Sequence, residues 1–136
     1  MAREQAPALR LILDSGAVIA MARGKSRVWD EFTAWNRRCD VVIVPAVVVA
    51  EVIRGGPADA IVNRFLKTVD KIAAVSERTA RRAGALLGAA GSSDTVDALV
   101  VAEATVGGGG AVVMTGDPRD LRELADGLGN VHVVIV

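Results

Sequence analysis

Five short stretches of the chain are almost wholly apolar: residues 9–13, 41–44, 72–75, 111–114 and 131–136. Most run continuously instead of alternating with polar residues, the pattern of strands buried on both faces of a parallel sheet. Between them apolar residues recur at helical spacing. Val28, Phe32, Trp35 and Cys39 form one stripe, Ile61, Val62, Phe65, Leu66 and Val69 a second, and Ala80, Ala83, Leu87 and Ala90 a third. Strands separated by helices predict an α/β chain with right-handed crossovers. The expected architecture is a three-layer α/β/α sandwich around a central, mostly parallel sheet of about five strands. Pro45 and Pro57 are expected just inside helix starts, and Gly55-Gly56 where a helix ends. The glycine run at 107–110 has neither the spacing nor the lysine of a phosphate-binding loop. No repeat or linker interrupts the pattern, so residues 1–136 read as a single domain.

Composition narrows the function. At 51% hydrophobic and 24% charged residues the chain is neither disordered nor of low complexity. Lys plus Arg and Asp plus Glu number 16 each, so nucleic acid is not held by bulk positive charge. A phosphate partner must be met by a local patch or through metal ions. Cys39 is alone and forms no internal disulfide. No apolar run approaches the length of a membrane span, and the first residues lack a signal peptide's apolar core. The expectation is a soluble cytoplasmic domain. Aromatic residues are only 3%, which supplies few platforms for stacked bases.

Four acidic residues stand out by their surroundings. Asp14 directly follows the first apolar run, at the carboxyl end of a strand, where open α/β sheets build their sites. It equally fits a helix N-cap. Glu51 lies in Ala-Val-Val-Val-Ala-Glu-Val, a short helix apolar on every side, and is expected at or inside the core. A carboxylate there must be protonated, hold a metal, or pair with a cation such as Arg54 or Arg23. Asp97 is stacked above Val100, Val101 and Ala104 and so faces inward near a helix start, with Asp94 as the N-cap before it. Asp117 follows the fourth strand in Thr-Gly-Asp-Pro-Arg-Asp, where capping and ligation are indistinguishable. Several carboxylates converging in one cleft repel one another and face phosphate unfavourably unless a cation intervenes. An all-oxygen donor set suits Mg²⁺ or Mn²⁺, whereas zinc would find only Cys39 and His132. The reaction class that follows is metal-assisted phosphodiester hydrolysis by activated water.

These residues resemble the PIN-domain family, specifically VapC-type toxins of bacterial toxin–antitoxin pairs. The resemblance rests on Leu-Asp14-Ser15-Gly-Ala, on Pro45 followed by Ala-Glu51-Val, on Asp97-Ala-Leu-Val-Val-Ala, and on Thr115-Gly-Asp117-Pro-Arg-Asp120-Leu. The segment Arg54-Gly-Gly-Pro-Ala-Asp-Ala matches members of this group too. The resemblance implies a Mg²⁺- or Mn²⁺-dependent endoribonuclease. It carries Asp14, Glu51 and Asp97 onto the family's acidic triad and Asp117 onto its fourth acid, with Asp120 as rival. Asp94 is a further ligand candidate, and Ser15 and Thr115 match small hydroxyl residues that support the site. It also implies a cognate antitoxin that blocks the cleft, and homodimerisation.

Arginine outnumbers lysine, and Arg78, Arg81 and Arg82 on one helix are candidates for RNA contact, since the guanidinium fork suits phosphate. Trp29 and Trp35 fit core or interface positions, and His132 and Cys39 fit structural ones. Two other readings compete. In one, the acids only cap helices of a non-catalytic, partner-binding module. In the other, Asp14 serves a phosphatase or phosphoryl acceptor, but position 16 is glycine where a second aspartate is expected.

Overall fold

A computed structural model describes residues 8–106, 108–116 and 118–136. The five apolar runs become β1 (Arg10–Leu13), β2 (Val41–Pro45), β3 (Lys71–Ala73), β4 (Ala111–Thr115) and β5 (Val131–Ile135). They form one sheet in the order β3-β2-β1-β4-β5, with every neighbouring pair parallel. The helices are α1 (Ser15–Ala22), α2 (Ser26–Arg38), α3 (Ala46–Val52), α4 (Asp59–Leu66), α5 (Glu77–Ala90), α6 (Thr95–Thr105) and α7 (Pro118–Ala125). From β1 the chain steps outward to β2 and β3, then returns to the other side of β1 for β4 and β5. Right-handed crossovers in opposite directions put their helices on opposite faces. Accordingly α1 packs with α2, α3 and α4, while α6 packs with α5 and α7. The result is the expected α/β/α sandwich.

The central strands explain the continuous apolar runs. Leu11, Ile12, Leu13, Val44, Val113 and Met114 are wholly inaccessible. Burying each side chain of this kind contributes about 2 kcal/mol. Arg10 interrupts the run for a reason. Its guanidinium donates from Nη1 to Glu103 O and from Nη2 to Ala104 O, 2.8 Å each, tying off the last carbonyls of α6. Burial lowers its pKa, and the nearby charge of Glu103 opposes that. One end of α6 is thereby fastened to the start of β1.

Several local expectations are corrected. Pro45 is the last residue of β2 and the N-cap of α3, not a helical residue. Pro57 lies in a turn two residues before α4. The buried stripe of α5 is Thr79, Ala83 and Leu86, and Ala80 and Ala90 are exposed. With alanine spread around the helix, periodicity could not select its inner face. On α4 only Phe65 is fully buried, and Ile61 is 53% exposed. Trp29, 39% exposed, meets Phe32 and Phe65 edge-on and donates its indole N–H to Met21 O at 3.0 Å. It therefore joins α1, α2 and α4. Trp35 is tilted against His132 and carries Arg38 over its ring, 5.2 Å from guanidinium carbon to ring centroid. Cys39 caps α2 through its backbone N–H, and burial raises its thiol pKa.

Candidate functional site

Parallel register puts the first site residue in place. Leu13 pairs with Met114, so the next residues, Asp14 and Thr115, stand side by side at the carboxyl ends of β1 and β4. This is the point where the chain's outward path from β1 reverses, and open sheets gape there. The Asp14 N–H donates to Met114 O at 3.1 Å. Its carboxylate caps α1, accepting from the Ala17 N–H at 3.0 Å. Asp14 is buried, with 6% of its surface exposed. Burial raises its pKa, while hydrogen bonds from the Thr115 side chain and the N–H groups of Ala17 and Gly116 hold it down, and the charge of Glu51 pushes it up again. Asp14 thus caps α1 from a buried place at the strand ends.

Two glycines let these strand ends meet the first turn of α1. A Cβ on Gly16 would lie 2.9 Å from the Cα of Gly116. Neither position has room for a side chain without moving backbone.

Glu51 departs from expectation. It is exposed, because α3 makes only two turns and buries Val48 and Val52 while Glu51 lies off that face. It is not inside the core, yet it is tied to the site, since the Ser15 hydroxyl donates to its Oε1. Its proposed ion pair is absent: Arg54 instead donates to Ala50 O at 3.0 Å. The exposed Arg81–Glu77 pair is the sole salt bridge among the described residues.

The opposite wall comes from α6 and α7. Asp94 is the N-cap of α6 and accepts from the Asp97 N–H at 3.2 Å. Asp97 is half-buried one turn in, and Asp120 is half-buried in the first turn of α7. One carboxylate oxygen from each of Asp94, Asp97 and Asp120 lies within 4.8 Å of the others. Burial, a hydrogen bond and charge from Asp94, and the charges of Asp14 and Asp120 together push Asp97 up to about 7. Asp97 therefore faces both Asp14 and the α7 acid, which is the inward direction its spacing suggests. Asp117 lies outside the described residues. Asp120, the rival to Asp117 in the sequence, joins the cluster found among the described residues.

The α5 arginines are elsewhere. Arg82 donates from Nε to the Thr105 Oγ1 at 3.3 Å, at the last residue of α6. Eleven residues of helix put that contact about 16 Å from the start of α6, where Asp94 and Asp97 stand. Acids and arginines thus occupy opposite ends of one helix.

The family description "PIN domain" matches residues 11–127. No curated protein sequence matches the chain. Solved structures share its fold, among them three toxin–antitoxin assemblies. VapBC2 from Rickettsia felis, bound to a DNA fragment from its promoter, aligns at TM-score 0.72 and 13% identity over 94% of this chain and 99% of that one. DNA-bound VapBC from Salmonella typhimurium aligns at 0.68 and 19% identity, over 93% and 98%. A toxin–antitoxin complex from Klebsiella pneumoniae aligns at 0.68 and 18%, over 89% and 94%.

Proposed function

The chain belongs to the PIN-domain family, and from that premise we propose that it is a metal-dependent endoribonuclease, the toxin of a toxin–antitoxin pair. The observation that carries this reading is the convergence of Asp94, Asp97 and Asp120 on one point beside buried Asp14. Carboxylates so close destabilise one another's charged forms: burial is the first cause of the raised pKa values of Asp14 and Asp97, and the charges of neighbouring acids push both further up. The donors are all carboxylate oxygens, Asp94 exposed and Asp97 and Asp120 half-buried, which fits Mg²⁺ or Mn²⁺. In this reading Asp14, Asp94, Asp97 and Asp120 hold the ion, with Glu51 and Asp117 as further acidic partners. When bound, the ion supplies Lewis-acid activation of water and charge neutralisation at the phosphodiester.

The chain's own residues prepare that chemistry. Thr115 and the N–H groups of Ala17 and Gly116 fix the Asp14 carboxylate and oppose the upward push of burial on its pKa. Ser15 turns Glu51 toward the cleft. Asp94 orients the first turn of α6 and with it Asp97. As partners we propose cytoplasmic RNA as substrate, an antitoxin protein covering the acidic cleft, and a second copy of the chain. The complexes with similar folds support the antitoxin.

Asp14→Asn and Asp97→Asn are near-isosteric and should abolish Mg²⁺- or Mn²⁺-dependent cleavage of total RNA. The melting temperature should stay within a few degrees. Full activity in both variants rejects the reading. The capping bonds of Asp14 and Asp94 favour a second reading, a non-catalytic module. It expects no metal binding by calorimetry and stability losses of about 1–2 kcal/mol when the caps are removed in Asp14→Ala and Asp94→Ala.

A further inference from the structure

The arginines at the far end of α6 surround a cavity of their own. It has a volume of about 510 Å³ and is lined by Arg78, Arg81, Arg82, Thr105, Val106 and Asn130, with no carboxylate in its wall. Arg81 shares its charge with exposed Glu77 on the same helix. Arg82 spends its Nε on Thr105. Arg78 has no hydrogen-bond or ion-pair partner among the described residues.

All three arginines sit in the first two turns of α5, whose N-cap is Ser76. That is the positive end of the helix dipole, where acidic residues stabilise and basic ones do not. The neighbouring C-terminus of α6 does not explain them, because Arg10 already takes its last carbonyls. Arg78, in the first turn with no partner, stands against the helix's own field and adds no contact to the fold, while Arg81 and Arg82 bring two more guanidiniums to the same wall. A bound polyanion would supply the missing gain.

The geometry points to this cavity as a second phosphate-binding site, separate from the acidic cleft, that grips the backbone of an RNA substrate away from the bond to be cut. It rests on the reading of the chain as a ribonuclease and specifies its substrate. The RNA must extend about 16 Å or more beyond the scissile phosphate, along the length of α6, to engage both ends. Short oligonucleotides would meet the acids alone. Three guanidiniums in a wall without aromatic side chains offer phosphate contacts and no stacking platform.

The test separates binding from cleavage. Affinity for a long, labelled single-stranded RNA is measured by anisotropy in EDTA across a range of salt concentrations. The slope of log K against log salt should be shallower than wild type by about 2 in the triple variant R78Q/R81Q/R82Q, and by about 0.7 in Arg78→Gln. R78K/R81K/R82K, which keeps the charge, should retain most of the slope. Arg78→Gln removes no contact within the fold, so it reports even if the triple variant melts early. Wild-type slopes in both glutamine variants overturn the proposal and leave the arginines to an acidic protein surface. Metal-dependent RNA cleavage by wild type is assayed in the same preparations. Its absence alongside a reduced slope leaves the second site standing and removes the ribonuclease reading. Intact cleavage with unchanged slopes does the reverse.

Discussion

Asp97 is where the site's chemistry is written most plainly in one residue. Its carboxyl titrates near 3.8 when free and near 7 here. Between those values the folded chain holds a proton that the unfolded chain has lost. Without metal, stability therefore falls as pH rises from 3.8 to about 7 and is flat above. In EDTA the protein should melt at a lower temperature at about pH 8 than at about pH 5, and Asp97→Asn should flatten the difference. Circular dichroism melts of the two proteins measure this, and equal pH dependence would remove Asp97 from the cluster. Gly16 offers a second check. Gly16→Ala puts a methyl 2.9 Å from the Gly116 backbone and should cost about 1–3 kcal/mol of stability. It should also weaken metal binding, because the shift moves the residue next to Asp14. Sequence pattern located Asp14, Asp94 and Asp97 because strand ends and helix starts are legible in it. It could not choose between Asp117 and Asp120, three positions apart in the sequence, and it buried Glu51 because an apolar helix of two turns does not say which face is inward.

Among the elements, α6 decides the geometry. Its start carries Asp94 and Asp97, its end is held by Arg10, and both β1 termini touch it: Arg10 by hydrogen bonds, Asp14 by charge. The distance from acid to acid is thus set by two rigid pieces of matched length, a strand and a helix. Replacing Arg10 by Met keeps bulk but leaves two carbonyls without donors. The expected loss is about 2 kcal/mol in urea unfolding, with weaker metal affinity by calorimetry although residue 10 lies at the far end of the strand. Normal affinity would show that packing alone positions α6. The sequence shows Arg10 only as a break in an apolar run. That it braces a helix some ninety residues later is not legible there, since the pairing depends on the crossover from β3 to β4.

For the whole molecule, zero net charge divides into separate fields: acids at the carboxyl edge of the sheet and arginines at the other end of α6. Mn²⁺ at a hundredfold excess over its Kd should stabilise the fold by about 2.7 kcal/mol. The gain should grow as pH rises through 7, because the ion competes with the Asp97 proton. Thermal melts with and without Mn²⁺ check both parts, and no shift at any pH would exclude a bound ion.

The place of β1 in the sheet governs when the protein can exist at all. The first strand made lies at the centre and pairs with β4, about a hundred residues downstream. Until that segment leaves the ribosome, half of β1 has no neighbour, and until α7 follows, Asp120 cannot join the other acids. A nascent chain that stops short of α7 therefore lacks the assembled cluster of Asp94, Asp97 and Asp120.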